Sequence, residues 1–429
     1  MSRATFFVER RETLRVSARN GSVEEQAERE AGVGLTEREG SGASYRWWDA
    51  GAHPPLPDAV RHRGAALLDG RPPDTQAVAS VVTLARELEA QGRAQGARLE
   101  VTVRGLSQQV LCVDGVRAVE DVRQVVWLEL RARVEREGMA RTALGEWAFA
   151  TPEALQAAAQ RTPGWVEDVV GRARSKLDER PCPRGPLTVV LPPGSDAGVF
   201  FHEVCGHPLE GDVVSRGASF LARKRGERVA ADFVTIADDP TEGSGGVGYR
   251  FDDEGTPARP ATLVHQGRVD TPLLDLRTAE VLGLEPNGHG RRVDYRHLAL
   301  PRMSHTVVRP YQGDLESILS EVEEGLLVSY LTPRHVHLLG GDFCFHFPEA
   351  REIRQGRLGA FVRPGLLRGN AAEALASIDA VGADSRTFFG LKGCGKLDQG
   401  GLPVSFGLPP CASRASPWSP RNERLDVGV

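Results

Sequence analysis

The chain has 429 residues, 40% of them hydrophobic and 26% charged, which is enough for two domains with developed cores. Its formal charge is only −5 at pH 7, and the arginines are scattered among carboxylates, so no nucleic-acid-binding surface is predicted. No apolar run approaches the roughly 20 residues that span a membrane.

The first residues and the cysteines bear on cellular location. The opening MSRATFFVERRETLRV holds short apolar runs only, whereas a secretory signal has an apolar core of about 7–15 residues. The six cysteines stand at irregular spacings, which is typical of reduced thiols rather than of a disulfide framework. We therefore expect a cytoplasmic protein in which one or two thiols can serve as metal ligands.

The first third of the chain predicts a mixture of helix and sheet. Residues 75–93 place apolar side chains at helical spacing, while ARLEVTVRG, QQVLCVDG and VRQVVWLELRARV alternate or cluster β-branched residues as strands do. Thr151 followed by Pro152 predicts a helix start, because a capping hydroxyl precedes a first-turn proline. Helical periodicity continues to residue 179, with an interruption at Pro163 and Gly164.

The proline-rich segment RPCPRGP follows these helices. Closely spaced prolines interrupt regular structure, so we place the domain boundary near 180–186. The prediction is an N-terminal α/β domain over 1–185 and a C-terminal β-rich domain over 186–429.

Beyond this boundary the sequence predicts many short strands. LTVVL is typical of a buried strand, PPGSD of a turn, and AGVFFHEVCG of a helix. Hairpin turns are predicted at 265–267 and 354–356, where a glycine closes each turn, and Asn370 is predicted to cap one further helix. The fold class expected is therefore α/β (α+β), with a C-terminal half that is mostly β and contains a few helices.

The segment GVFFHEVCGHPLEGD, residues 198–212, carries two histidines five positions apart. In a regular helix, His202 and His207 would point roughly 140° apart and could not share a metal ion. A single wider turn of the i→i+5 kind would bring them together. Gly206 tolerates unusual dihedrals and Pro208 disfavours the α region for the residue before it, so the sequence predicts such a distortion. The alternative is that both histidines are only packed or hydrogen-bonded.

A hydrolytic zinc site normally has three protein ligands and an open position. Cys394, in FFGLKGCGKLDQGGLPVSFG, is the best candidate for the third ligand because glycines on both sides allow close approach. Lys392 and Lys396 flank it, and nearby cations favour the thiolate. The alternative is a buried, inert cysteine. Cys205 is predicted to point away from both histidines and to pack in the core.

Several separated blocks together resemble the TldD/PmbA metallopeptidase family, and specifically its TldD branch. GVFFHEVCGHPLEGD is similar to the family's His-Glu-x-x-x-His segment. RFDDEGTPARPATLVHQGRV and GLEPNGHGRRVDYRHLALPRMSHT are similar to two following blocks, and GCGKLDQGGLPVSFGLP is similar to its Cys-Gly-Lys block. The blocks keep their order and spacing from about residue 185 to residue 410.

The resemblance implies a two-domain α/β fold and a single zinc ion held by His202, His207 and Cys394, with Glu203 as the catalytic base. It also implies action on short or unfolded peptides, in a homodimer or in a heterodimer with a PmbA/TldE-like subunit. A non-hydrolytic partner or scaffold subunit is an alternative function, and an amidase acting on a small molecule is another.

Other polar residues of these blocks have two interpretations each. Glu210 and Asp212 could accept hydrogen bonds from the imidazoles, or they could act as ordinary helix caps. The blocks also contain residues that could stabilise an oxyanion or instead form turns and salt bridges; these are Asp252, Asp253, Arg291, Arg292 and Arg302.

Overall fold

The computed structural model describes residues 3–39, 42–69, 76–115, 117–161, 164–242, 247–413 and 419–422. Within these ranges no helix combines the length and the apolar character needed to cross a membrane. The chain forms a mixed α/β structure of mostly strands with few helices, which confirms the predicted fold class.

The N-terminal part is built on one antiparallel sheet. Its strands are β1 (Arg3–Arg19), β2 (Ser22–Glu39), β3 (Gly42–Asp49), β4 (Arg98–Asp114), β5 (Arg117–Arg136) and β6 (Met139–Phe149). The order across the sheet is β3-β2-β1-β4-β5-β6. The two strands predicted around residues 98–114 are one continuous strand, β4. Strands β1 to β3 were not predicted, because charged side chains interrupt their apolar pattern.

Helices cover one face of this sheet. They are α1 (Asp58–Gly64), α2 (Gln76–Ala94), α3 (Pro152–Arg161) and α4 (Trp165–Ser175), and a short 3₁₀ turn follows at Lys176–Asp178. The helix predicted at 75–93 is confirmed as α2. The start predicted at Thr151 is also confirmed, since its hydroxyl accepts a hydrogen bond of 3.2 Å from the N–H of Ala154.

The opposite face of the N-terminal sheet is buried against the C-terminal part. Glu9 accepts a hydrogen bond of 2.7 Å from the N–H of Tyr295, and Arg123 forms an ion pair of 2.6 Å with Asp253. Because both side chains find a partner across the contact, they avoid the full cost of burying a polar group alone. The contact is therefore a polar interface between the two halves of the chain.

Within the described residues, the C-terminal part contains three larger sheets and one pair of short strands. Its first strands are β7 (Thr188–Leu191), β8 (Ile236–Asp238), β9 (Ala261–His265), β10 (Arg268–Val269), β11 (Gly290–Arg291), β12 (Leu300–Pro301), β13 (His305–Val308), β14 (Glu324–Val328) and β15 (Thr332–Val336). The remaining strands are β16 (Asp342–Phe347), β17 (Ala350–Arg354), β18 (Arg357–Val362), β19 (Gly365–Asn370), β20 (Ile378–Val381), β21 (Arg386–Lys396), β22 (Gln399–Leu408), β23 (Cys411–Ser413) and β24 (Ser419–Asn422).

The strand orders are β10-β9-β8-β13-β22-β21, β18-β17-β14-β7-β23-β20 and β15-β16-β19-β24, and β11 pairs with β12. The helices in this part are short: α5 (Val199–Phe201), α6 (Gly211–Ser215), α7 (Leu276–Leu282), α8 (Leu315–Ser320) and α9 (Ala371–Ala376). The capping role predicted for Asn370 is confirmed, because its side chain accepts a hydrogen bond of 3.0 Å from the N–H of Ala372.

Both predicted hairpin turns are confirmed. Gln266 and Gly267, between β9 and β10, have φ values of 46° and 73°, and Gln355 and Gly356, between β17 and β18, have 48° and 75°. Two successive positive φ values match the twist of the flanking strands.

We propose a domain boundary near 180–186. The buried apolar residues of the first core end at Ala173, and those of the large C-terminal core begin at Cys182.

Candidate metal centre

The two histidines lie on one irregular helical segment. After α5, residues His202–Gly206 form a π-helical turn in which the N–H of His207 bonds to the carbonyl of His202, five residues earlier. The two rings are 5.0 Å apart between centroids, at an interplanar angle of 84°. The predicted i→i+5 turn is therefore confirmed, and it brings the two rings together where a regular helix would separate them.

The reasons predicted for this turn were partly wrong. Gly206 lies in the right-handed α region, φ −61° and ψ −66°, which residues other than glycine also adopt. The glycine is needed for space, because a Cβ there would lie only 2.8 Å from Cγ and Sδ of Met303. His207 also stays in the α region, with φ −57° and ψ −42°, although Pro208 follows it. The chain turns extended only at Glu210, because packing overrides a local preference that disfavours but does not forbid the α region.

Cys394 reaches the histidines from the distant strand β21. Its Sγ is 3.5 Å from Nε2 of His207, and its backbone carbonyl accepts a hydrogen bond of 2.8 Å from Arg302. Gly393 has φ +64°, and a Cβ there would lie 2.6 Å from the carbonyl carbon of Gly401. The strand can therefore bend toward the helix at this point only with glycine before the cysteine.

One ligand atom from each of His202, His207 and Cys394 lies within 4.8 Å of the other two. In the ranges that the structure describes, this is the one group of three or more such residues close enough to share a cation. Two imidazole nitrogens and a thiolate are the donor types that zinc prefers. The residues present therefore fit a divalent zinc ion.

The charge state of the site follows from its buried contacts. Burial alone would raise the pKa of Cys394, but His207 and His202 outweigh it and hold this pKa well below its ordinary value. The predicted role of Lys396 in favouring the thiolate was wrong. Its Nζ is bound instead to Glu210 at 3.0 Å and to Asp212 at 2.6 Å. The side chain of Lys392 lies outside the described residues.

Glu210 and Asp212, the two acidic residues that follow His207, make different contacts. Oε2 of Glu210 is 3.2 Å from Nδ1 of His207, so this carboxylate can orient one ligand, as one interpretation of the sequence expected. Asp212 contacts Lys396 and Arg216. None of its described hydrogen bonds or ion pairs joins it to an imidazole. Cys205 is buried in the apolar core, in agreement with its predicted packing role.

Sequence reasoning missed the partner of the other imidazole. Nδ1 of His202 is 3.3 Å from the hydroxyl of Thr306, which in turn donates to Asp238 at 3.0 Å. Thr306 is the last residue of the block GLEPNGHGRRVDYRHLALPRMSHT, and its place in that block was the one feature of the sequence that could have identified it. Asp238 stands in no quoted block, and only the sheet register places it beside Thr306.

Glu203 lines a cleft of about 380 Å³ together with the three candidate ligands. Apolar walls come from Val199, Leu331, Val404 and Phe406. The N-terminal part also contributes, because Leu144 and Glu146 of β6 line the same space. A larger groove of about 620 Å³ between α2 and α3 has neither histidine nor cysteine in its described lining.

The buried arginines named in the sequence analysis do not line this cleft. Arg302 holds the backbone of Cys394, and Arg292 bonds to the carbonyl of Asp253 at 2.9 Å. Arg291 donates to the carbonyl of Pro403 at 3.1 Å. Their role in the described structure is to hold the surrounding loops.

A histidine pair on a π-helical turn and a glycine-flanked thiol together form a candidate metal centre. The chain belongs to the PmbA/TldD metallopeptidase family, because the profile of the PmbA/TldA metallopeptidase C-terminal domain matches residues 184–413. It is 32% identical over 264 residues to the metalloprotease TldD homolog of Buchnera aphidicola subsp. Schizaphis graminum, a match that covers 62% of this chain and 52% of that protein.

Two further similarities extend this result. The chain is 30% identical over 308 residues to the metalloprotease TldD homolog of Haemophilus influenzae, covering 70% of this chain and 62% of that protein. The crystal structure of TldE from Thermococcus kodakarensis superimposes with a TM-score of 0.75 at 17% identity, over 97% of this chain and 96% of that one. These matches span about half to three-fifths of the length of the two metalloprotease relatives, and the TldE likeness shows the fold.

Proposed function

We propose that the chain is a zinc-dependent peptidase that hydrolyses short or unfolded peptides. The observation that carries the proposal is the convergence of His202, His207 and Cys394 beside a carboxylate, Glu203, in one cleft. Relatives named as metalloproteases support a peptidase that uses a metal ion, and the nitrogen and sulfur donors favour zinc.

The candidate ligands would hold the ion by one atom each, His202 through Nε2, His207 through Nε2 and Cys394 through Sγ. Once bound, zinc would supply Lewis acidity and lower the pKa of a water molecule toward neutrality. Glu203 lines the same cleft, where its carboxylate would accept a proton from the attacking water and pass it to the leaving amine. Neutral imidazoles and one thiolate would leave the ion a net positive charge to polarise the peptide carbonyl.

The cleft also limits the substrate. A space of about 380 Å³ with apolar walls and a wall from β6 accepts an extended segment and excludes a folded domain. The complete ligand set argues against a non-hydrolytic partner subunit, since a scaffold has no need of it. The likeness to TldE leads us to propose a homodimer or a heterodimer with a TldE-like chain.

The experiment begins with metal analysis of the purified protein, followed by incubation with an unstructured peptide. We expect about one zinc per chain and peptide fragments that disappear on addition of a chelator and return with zinc. Mass spectrometry identifies the fragments. A protein that holds zinc but yields chelator-insensitive fragments, or none from any unstructured peptide, would contradict the proposal.

A further inference from the structure

Thr306 lies beside Nδ1 of His202, which leaves Nε2 as the ring nitrogen available to a metal ion. Its Oγ1 atom is 3.3 Å from Nδ1 of His202 and 3.0 Å from Oδ2 of Asp238. Thr306 and Asp238 are directly opposite each other on the antiparallel strands β13 and β8. The three side chains are buried, so the sheet register itself holds this chain of contacts in place.

Asp238 is an ionised acceptor in this chain of contacts. Its Oδ1 accepts from the backbone N–H of Ser304 at 2.8 Å and from the hydroxyl of Ser304 at 2.7 Å. Nε2 of His289 lies 3.3 Å from the same oxygen. Burial alone would raise the pKa of Asp238, but His289 and Ser304 outweigh burial and hold this pKa well below its ordinary range.

The direction of the hydrogen bonds follows from counting hydrogens. A threonine hydroxyl has one hydrogen and two acceptor lone pairs, and an ionised carboxylate can only accept. The hydroxyl hydrogen of Thr306 therefore points to Asp238, and a lone pair faces His202. For this contact to be a hydrogen bond, Nδ1 of His202 must carry the hydrogen, which leaves the lone pair of the neutral ring on Nε2.

We propose that Asp238, acting through Thr306, is a positioning residue that fixes the tautomer and the ring orientation of His202. Neither side chain lines the cleft, so neither touches the peptide. The inference rests on the proposed function only in taking His202 as a zinc ligand. The second imidazole is arranged differently, because His207 contacts the carboxylate of Glu210 directly.

Three substitutions distinguish the positioning of His202 from a general effect on the stability of the fold. Thr306→Val keeps the shape of the side chain but removes the hydroxyl, and Thr306→Ser keeps the hydroxyl. Asp238→Asn places a donor beside Thr306, which allows the hydroxyl hydrogen to turn toward His202 and favours the opposite tautomer. We expect zinc affinity to fall about 10–100-fold in Thr306→Val and Asp238→Asn and to stay near the wild-type value in Thr306→Ser. Competition with a chromophoric chelator measures the affinity.

A second readout needs neither zinc nor activity. Long-range ¹H–¹⁵N correlation spectra of the metal-free protein, labelled with ¹⁵N-histidine, distinguish Nδ1–H from Nε2–H rings, and a His202→Gln variant assigns the signal. We expect the Nδ1–H form in the wild type and in Thr306→Ser, and the Nε2–H form in Asp238→Asn. If Asp238→Asn does not fold, the spectrum of the wild type and the affinity of Thr306→Val decide the question.

Ser405→Ala is the matched control. It removes another buried hydroxyl, which lies 2.8 Å from Nδ1 of His305 on the neighbouring pair of strands, and it should leave zinc affinity unchanged. Wild-type affinity in Thr306→Val, an Nε2–H ring in the wild type, or an equal loss in Ser405→Ala would each overturn the inference. A wild type that binds zinc and has the Nδ1–H ring, but cleaves no peptide, would instead refute the proposed peptidase function alone.

Discussion

Gly206→Ala is the substitution that most directly tests why the π-helical turn forms. The added Cβ would lie 2.8 Å from both Cγ and Sδ of Met303 and 3.2 Å from its Cε. Carbon atoms pack best at about 3.5–4.0 Å, so the two groups must separate by about 0.7–1.2 Å. Met303 is fully buried, and it has little room to retreat.

The size of the effect follows from this overlap. Inserting a methyl group into a filled core costs about 1–3 kcal/mol, and we expect a loss of stability in that range. A backbone shift of the same size would move His207, whereas metal sites require ligand distances within about 0.2 Å. Zinc affinity should therefore fall together with stability.

The measurements are the free energy of unfolding in urea and the zinc dissociation constant. Gly171→Ala is the matched control, because a Cβ at that helical position of α4 meets nothing within 4 Å, and it should be neutral or slightly stabilising. Met303→Ala restores the missing space, so Gly206→Ala combined with Met303→Ala should be less destabilised than the sum of the two, by about 0.5–3 kcal/mol. A double variant whose losses simply add, or a Gly206→Ala protein with wild-type stability and affinity, would refute the steric explanation.

Three further predictions follow from single side chains. Glu203→Gln should keep zinc and lower the rate of peptide cleavage by about 10²–10⁴-fold; loss of zinc in metal analysis would contradict its role as base. Lys396→Met removes the cation from two buried carboxylates and should destabilise the protein by about 3–5 kcal/mol, seen as a lower Tm. The control Lys224→Met replaces a partly exposed lysine that forms no ion pair in the described part of the chain, and it should change Tm little. Burial raises the pKa of Glu9 to about 7, so the folded state binds more protons than the unfolded state between pH 4.5 and 7, and stability falls as pH rises through this window. Glu9→Gln should flatten that fall in Tm, though only in part because burial raises the pKa of Asp252 to about 7 as well; an unchanged slope would count against the assignment.

The sequence predicted the elements whose signals are local. The periodicity of α2, the start at Thr151 and the two hairpin turns depend on neighbouring residues, and each is found in the structure. The long strands β1 and β2 were missed because their charged residues, such as Glu9, read as solvated. In the folded chain Glu9 accepts a hydrogen bond from Tyr295 of the C-terminal part across a buried interface, which no local pattern reveals.

In the candidate site, too, the residues with a local signal were predicted and those that depend on tertiary contacts were missed. His202 and His207 were identified from their spacing, and Cys394 from the chemistry that a third ligand must have. The contact between Thr306 and Asp238 depends on strand register, and the packing of Gly206 on Met303 depends on tertiary contact, so neither could be predicted from spacing. The prediction that Lys396 favours the thiolate form of Cys394 failed for the same reason, since neighbours in sequence on a bent strand need not face each other.

The distance along the chain between the helix and the thiol has a consequence for the order of events during folding. Cys394 and His207 are 187 positions apart, and closing so long a loop is entropically unfavourable until the intervening strands have paired. The cation therefore cannot act as an early nucleus, unlike the ion of a small zinc finger whose ligands are close in sequence. The proposed zinc ion should be captured last, by a chain that has already assembled its sheets, and supplying zinc at the start of refolding should not speed the appearance of native structure.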